Sequence, residues 1–303
     1  MTRAKQPPQI VQLTLPQFEA LFPNEDACRA YLHARRWPNG VCCPRCGNPG
    51  VYDLKTRKWH WQCEQCAPDG YRFSIITGTV FENTNKPLRD WYRVIHLMLT
   101  SKNGMSARQI WRYMGFGSLK TAWYMCHRIR VALLEDIGKL GGIVEVDETF
   151  VGGLAKNRHW DKRGDGGGTG VIGSGKTPIV GAVSRKGNVV ARVVANVQAK
   201  TLEAFVHEAV SHKVSLLCTD QWTGYKHLTD YPHATIDHAR GQYVIGAIHT
   251  QTIEGFWSIF KRGVVGTFHK MSRKYMPLYV AEFQFRYNNR ENADIFGTAI
   301  NGC

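Results

Sequence analysis

The spacing of apolar residues changes several times along this 303-residue chain, and each change predicts a different kind of element. Residues 1–37 carry Pro7, Pro8, Pro16 and Pro23, which restrict them to an extended arm followed by a short helix. Residues 38–82 combine Cys, Gly and Trp with short alternating runs, the signature of small hairpins. From Lys86 to Ile137 glycine thins out and apolar side chains recur at helical spacing, as at Trp91, Ile95 and Met98 and again at Ile129 and Leu133. Within that stretch Ser106, with Gln109 three residues on, is a capping-box pattern for a short helix that ends at Gly115-Phe116-Gly117. Ser118 then caps a longer helix over 119–134, and Gly138–Gly142 reads as a hinge.

Beyond the hinge the pattern alternates. Ile143–Val151, Ile179–Ser184, Val189–Val197, Val214–Cys218 and Ala234–Ile236 read as strands. Thr201–Ser211, Thr252–Lys261 and Pro277–Asn289 read as helices. The expected organisation is therefore multidomain: an arm and short helix (1–37), a small β module (38–82), a helical module (83–138) and a mixed α/β domain (139–295) without repeats.

Charge adds a partner to this outline. The formal charge is +15 and the pI about 9.5, a balance that suits a polyanion, with nucleic acid the first candidate and an anionic membrane the second. No apolar run approaches bilayer length, and MTRAKQPPQIVQLTLPQF lacks the apolar core of a signal peptide. The expectation is a cytoplasmic, nucleoid-associated protein with no membrane partner.

Nine cysteines, an odd number, argue against a disulfide framework. Cys43-Pro-Arg-Cys46 and Cys63-Glu-Gln-Cys66 form two CxxC knuckles separated by 16 residues, which supply the four thiolates of a tetrahedral structural Zn²⁺ site. Cys42 competes with Cys43, and the CxxC register favours Cys43. In the helical module, a short helix, a glycine turn and a longer helix match the helix-turn-helix arrangement. Lys120, Tyr124, His127, Arg128 and Arg130 would then meet DNA, whereas Trp111, Trp123, Ile129 and Leu133 read as core. An ordinary helical hairpin with a solvated basic face has the same spacing.

Three acids in separate segments carry the catalytic reading. Asp147 closes the β-branched run Ile-Val-Glu-Val-Asp, Asp220 follows the strand Leu216–Thr219, and Glu254 lies on the helix around Thr252–Lys261. Phosphodiester cleavage is served by two hard cations about 4 Å apart, held by carboxylates from converging elements. A lone strand-end Asp is more often a turn or cap residue. Glu145 and Glu148 compete for the role of Asp147, and Glu145, on the same strand face, could instead support the ligands.

The runs Val-Glu-Val-Asp-Glu-Thr-Phe-Val-Gly-Gly (144–153), Thr-Asp-Gln-Trp-Thr-Gly-Tyr (219–225) and His-Thr-Gln-Thr-Ile-Glu-Gly-Phe-Trp-Ser-Ile-Phe-Lys-Arg-Gly (249–263) resemble bacterial insertion-sequence transposases. So do Gly-Thr-Phe-His-Lys-Met-Ser (266–272) and Glu-Phe-Gln-Phe-Arg-Tyr-Asn-Asn-Arg (282–290). The resemblance, over roughly residues 40–290, is to the ISXO2-like DDE transposases, with an N-terminal zinc ribbon and an RNase H-like catalytic domain. It implies metal-dependent strand cleavage and strand transfer at transposon ends, with Asp147, Asp220 and Glu254 holding Mg²⁺ or Mn²⁺. It places Lys261, with Arg262 beside it, near the scissile DNA. It implies double-stranded DNA as partner, both terminal inverted repeats and target, and a homo-oligomer in the synaptic complex. Gln251 departs from the Asn expected in the His-Thr-Asn-Thr run, and some relatives use Asn in the third acidic role. His249 and His269 would contact DNA, order the site, or serve as structural histidines.

Gly170-Val-Ile-Gly-Ser-Gly-Lys176-Thr177 spells a phosphate-binding loop, yet no buried strand precedes it and Pro178 with a β-branched run follows. It reads as a mobile glycine-rich loop near DNA, with no nucleotide cofactor. The alternatives to a transposase are a zinc-dependent DNA-binding regulator, which has no use for the three acids, and a plain nuclease of the same fold.

Overall fold

Two units divide the chain, residues 1–133 with 290–303 and residues 134–289. The computed structural model describes residues 12–66, 68–152, 176–220, 223–225, 227–236 and 249–303. Most of the glycine-rich run 170–177 lies outside these residues; Thr177 itself opens a strand.

The first unit begins with two capped helices. Thr14 and Gln17 form a reciprocal capping box at the start of α1 (Leu15–Leu21). Asn24 accepts the Ala27 N–H at 2.9 Å to start α2 (Glu25–Arg36), whose first turn is acidic and last turn basic, as the helix dipole favours. A three-stranded antiparallel sheet follows, β1 (Val51–Asp53), β2 (His60–Cys63) and β3 (Tyr71–Ser74), in the order β1-β2-β3. Then come α3 (Leu88–Thr100), α4 (Ala107–Met114) and α5 (Leu119–Ala132). Gly115, at φ +62°, ends α4 in the left-handed conformation that glycine adopts without strain. Ser106 and Ser118 accept N–H groups of Gln109 and Lys120 at the two helix starts.

The chain returns to this unit at its end. α9 (Ile295–Asn301), capped by Asp294, inserts Phe296 among Phe18, Phe22, Tyr31 and Tyr92 at ring-centroid distances of 5.4–6.2 Å. These edge-on and tilted aromatic contacts bind the first residues of the described chain to the last. The sequence reading carried the α/β domain to residue 295 and placed no helix after it, because seven residues are too few for a clear period.

The second unit is a five-stranded mixed sheet: β4 (Ile143–Val151), β5 (Thr177–Ser184), β6 (Val189–Val193), β7 (Leu216–Asp220) and β8 (His233–Ile236). Its order is β6-β5-β4-β7-β8, with β4, β5 and β6 antiparallel and β7 and β8 parallel to β4. Val144, Val146, Ala182 and Leu217 cover one face together with α6 (Ala199–Ala209). Ile179, Val183 and Val189 cover the other, under α7 (Gln251–Gly263) and α8 (Met276–Asn288). A widened turn over Val264–Phe268 and a short turn of helix at Arg273–Tyr275 join those two helices.

α8 also closes the edge of the sheet. Gln284 accepts the Ala191 N–H at 2.9 Å, and Asn288 accepts the Val189 N–H at 2.7 Å while donating back to the Val189 carbonyl at 3.1 Å. Side chains one helical turn apart thus occupy backbone groups of β6 that an exposed edge would offer to another strand. Asn288 and Asn289 each donate to Glu135 at 2.9 Å, which anchors the end of α8. No described helix is long and apolar enough to cross a membrane.

Phe296→Ala is expected to cost about 3–5 kcal/mol of first-unit stability, read by denaturant unfolding of the full chain. A loss under about 1 kcal/mol would mean that α9 does not complete this core.

Candidate active site

The zinc knuckles are assembled by backbone first. Gly47, at φ +74°, turns the chain so that its N–H reaches the Cys43 carbonyl at 2.8 Å, and β2 delivers Cys63 from the opposite side. The four sulfurs of Cys43, Cys46, Cys63 and Cys66 lie within 4.8 Å of one another, with Cys43–Cys66 at 3.7 Å and Cys46–Cys63 at 3.6 Å. Zinc–sulfur bonds of 2.3 Å at a tetrahedral angle require a separation of about 3.8 Å, so the donor set fits structural Zn²⁺. Cys42 stands outside the group.

In the second unit the pleat decides which acids can meet. On β4, Val144 and Val146 point to the α6 core, so Glu145, Asp147 and Thr149 point to the face under α7. The β4–β7 ladder pairs Ile143 with Leu216 and Glu145 with Cys218; the same register carried two residues on sets Asp147 beside Asp220. Across the antiparallel partner, Asp147 pairs with Gly181. A Cβ at Gly181 would stand 2.7 Å from Trp257 and 3.2 Å from Ile253, so the missing side chain lets α7 lie directly on the sheet. That approach brings Glu254, in the first turn of α7, to the acids, and Thr250 donates to its Oε1 at 2.8 Å.

The electrostatics record this convergence. Burial pushes the Asp147 carboxyl up to about 7, and the charges of Glu148, Asp220 and, more weakly, Glu254 add to the effect. Glu148 is also raised to about 7, chiefly by burial, while the Tyr225 hydroxyl donates to it at 2.7 Å and favours its charged form. Clustered carboxylates that raise one another's proton affinity suit a divalent cation held by oxygen ligands. Among the described residues, however, only the four cysteines bring three or more potential ligand atoms within 4.8 Å; Asp147, Asp220 and Glu254 stand wider than that.

Two family models match these modules. Residues 139–288 match the ISXO2-like transposase domain and residues 23–68 the transposase zinc-ribbon domain. The chain belongs to the ISXO2-like transposases. It is also 26% identical, over 276 residues, to an uncharacterized protein in transposable element ISH50 of Halobacterium salinarum, covering 88% of this chain and 91% of that one. No solved structure matches it.

Within this transposase the expected DNA contacts of α5 divide. Lys120 is exposed, as is Tyr124 at 53%. Arg130 and His127 are instead enclosed in the first unit at 2% and 7%, and burial together with the Arg130 charge lowers the His127 imidazole to about 4. α5 packs against α3 and α4, and burial follows these neighbours rather than position around the helix, since Trp123, about 20° from Arg130, is exposed. Arg128 is half-buried, donating to the carbonyls of Glu82 at 3.0 Å and Thr79 at 3.4 Å. Trp123, expected in the core, is 37% exposed and packs on His127 at 4.3 Å, while Ile129 and Leu133 are buried as expected.

On α7, Lys261 and Arg262 are exposed, and Lys261 shares a face with Glu254 because seven residues make nearly two full turns. His269 is exposed at φ +56°, just past the widened turn. His249 sits 3.2 Å from the carboxylate of Glu145. The sequence reading did not single out Arg185, Thr250, Thr252 or Gly181, whose roles depend on which strand and helix become neighbours.

Cys63→Ser in the ribbon is expected to drop bound zinc below one ion per chain and to open residues 38–82 to protease, as loss of a structural site does. Full zinc content by elemental analysis with unchanged protection would refute the four-thiolate site.

Proposed function

We propose that this transposase cleaves DNA at the ends of its insertion element and joins them to target DNA, using Asp147, Asp220 and Glu254 as metal ligands in an RNase H-like domain. The observation that carries the reading is the convergence of three segments, the middle of β4 rather than the strand end expected from sequence, the end of β7 and the first turn of α7, with the Asp147 carboxyl raised to about 7. The mixed sheet, with α7 laid over its central strands, supports the fold assignment. Bound Mg²⁺ or Mn²⁺ would activate the attacking hydroxyl and stabilise the leaving oxygen.

The protein's own contributions follow from its geometry. Asp147 and Asp220 present oxygens from a rigid sheet, and Thr250 fixes one oxygen of Glu254. Lys261 and Arg262, farther along the exposed face of α7, meet backbone phosphates. In the first unit Lys120 and Tyr124 of α5 supply DNA contacts, with α4 and α5 acting as a helix-turn-helix pair. The two element ends are held in a homo-oligomer.

Asp147→Asn, Asp220→Asn and Glu254→Gln are each expected to lower Mg²⁺-dependent cleavage of element-end DNA by at least about a hundredfold, while DNA affinity stays within about threefold. Full cleavage by all three variants would refute the ligand set. Cleaved ends that never join target DNA would reduce the activity to that of a nuclease.

Protonation gives a second check. Asp147 binds its proton more tightly in the folded chain (about 7) than a free aspartate does (about 3.9). Stability from this group is therefore present at low pH and lost as pH rises through 7 in metal-free protein. Melting temperature without metal is expected to fall between pH 5 and 8, and Asp147→Asn should flatten the fall, leaving the part that Glu148 causes. An equally steep fall in that variant would refute the assignment.

A further inference from the structure

Glu145 is the strongest unexplained feature of the second unit: a carboxylate at 0% exposure, two residues before Asp147 on the same face of β4. Four hydrogen bonds fill its two oxygens. Its Oε2 accepts the backbone N–H of Thr252 at 2.8 Å and of Ile253 at 3.1 Å. Its Oε1 accepts the Thr252 hydroxyl at 2.9 Å and the Arg185 Nε–H at 2.8 Å. The His249 Nδ1 lies 3.2 Å from the same oxygen, and Arg185 also donates to the His249 carbonyl at 3.1 Å.

A carboxylate withdrawn from water is costly unless its lone pairs are filled and its charge is balanced. Here Arg185 and the positive end of the α7 dipole balance it. Capping a helix start needs far less than this: Ser, Thr or Asn suffices, as at Ser106 and Asn24 in the first unit. A buried charge does something that a neutral cap does not. It accepts from two successive backbone N–H groups and one side chain of α7 at once, which fixes both the height and the rotation of the helix.

We propose that Glu145, with Arg185, is a positioning residue for the metal site: it locks α7 so that Glu254 faces Asp147 and Asp220. The clamp holds Thr252 and Ile253, and Glu254 is the next residue. A helix turns about 100° per residue, so slippage by one position would carry Glu254 away from the sheet. Trp257 over Gly181 holds the helix one turn farther on, so rotation is restrained on both sides of Glu254. The sequence places the anchor and a ligand on one strand, Glu145-Val-Asp147, and their partners in one helical turn, Thr252-Ile-Glu254. This inference rests on the metal-site reading above.

The test is a double-mutant cycle on the full-length chain, with Mn²⁺ affinity measured by electron paramagnetic resonance and single-turnover cleavage measured beside it. Glu145→Gln keeps the shape but loses charge and accepting capacity; it is expected to weaken Mn²⁺ binding and slow cleavage by about 10- to 100-fold. DNA affinity should remain within about twofold, since the Glu145 carboxylate is itself fully buried. In a Glu254→Gln background the same change is expected to have no further effect on Mn²⁺ affinity, because the residue through which it acts is gone.

Wild-type Mn²⁺ affinity in Glu145→Gln, or an undiminished further loss in the Glu254→Gln background, would overturn the positioning role while leaving the metal site intact. Wild-type Mn²⁺ affinity in Glu254→Gln alone would overturn the metal-site reading and this role with it. Should Glu145→Gln fail to fold, Thr252→Val removes one donor from the clamp and leaves the backbone bonds. It is expected to weaken Mn²⁺ binding by about 3- to 10-fold, and unchanged affinity there would count against the clamp.

Discussion

Carboxylates withdrawn from water on the α7 face of β4 constrain the second unit more than any other group, because each requires its own compensation. Glu145 finds it inside the fold, from Arg185 and the start of α7. Asp147, two residues on, has backbone support, and burial and neighbouring carboxylates raise its proton affinity. Neighbouring positions on one face thus divide between a charge neutralised inside the fold and one whose proton affinity is raised. The apolar residues at alternate positions, Val144 and Val146, hold the strand in the register that keeps this division.

The approach of α7 follows from that constraint. A helix packed over a strand by ordinary side chains keeps its backbone about 10 Å from the sheet. Gly181 removes one side chain from the layer, and Trp257 occupies the space, so α7 lies directly on the sheet. α8 stabilises the same arrangement from the edge, by binding β6 through Gln284 and Asn288 rather than through a further strand. Two segments near the end of this unit therefore carry different burdens: His249–Gly263 supplies α7 and its anchors, and Glu282–Asn289 closes the edge of the sheet.

The first unit solves a different problem. Its three strands are three or four residues long and cannot bury enough apolar surface by themselves. Four thiolates at zinc-binding distance and an aromatic layer, with Trp61 on Phe73 at 5.9 Å, supply what the strands lack. At its other end α9 brings Phe296 from the end of the chain into the core. This is a long-range closure for which no local signal exists.

Local chemistry was legible in the sequence wherever it depended on spacing. The CxxC pairs named the zinc ligands, the serine caps and Gly115 marked the two helices of the α4–α5 pair, and alternation named the strands of the sheet. The three acids could be nominated from strand ends and a resembling helix, because period fixes the face on which a residue lies. Which faces meet is a different matter. The depth of Arg130, the exposure of Trp123, the clamp on Glu145 and the return of α9 all depend on contacts between segments tens to hundreds of residues apart. The sequence determined the elements, the thiolate cage and the side of each element that carries charge. Only the tertiary structure decided which charges are neutralised within the fold and which have their proton affinity raised, because burial and counter-charge belong to the packed neighbours and not to the residue itself.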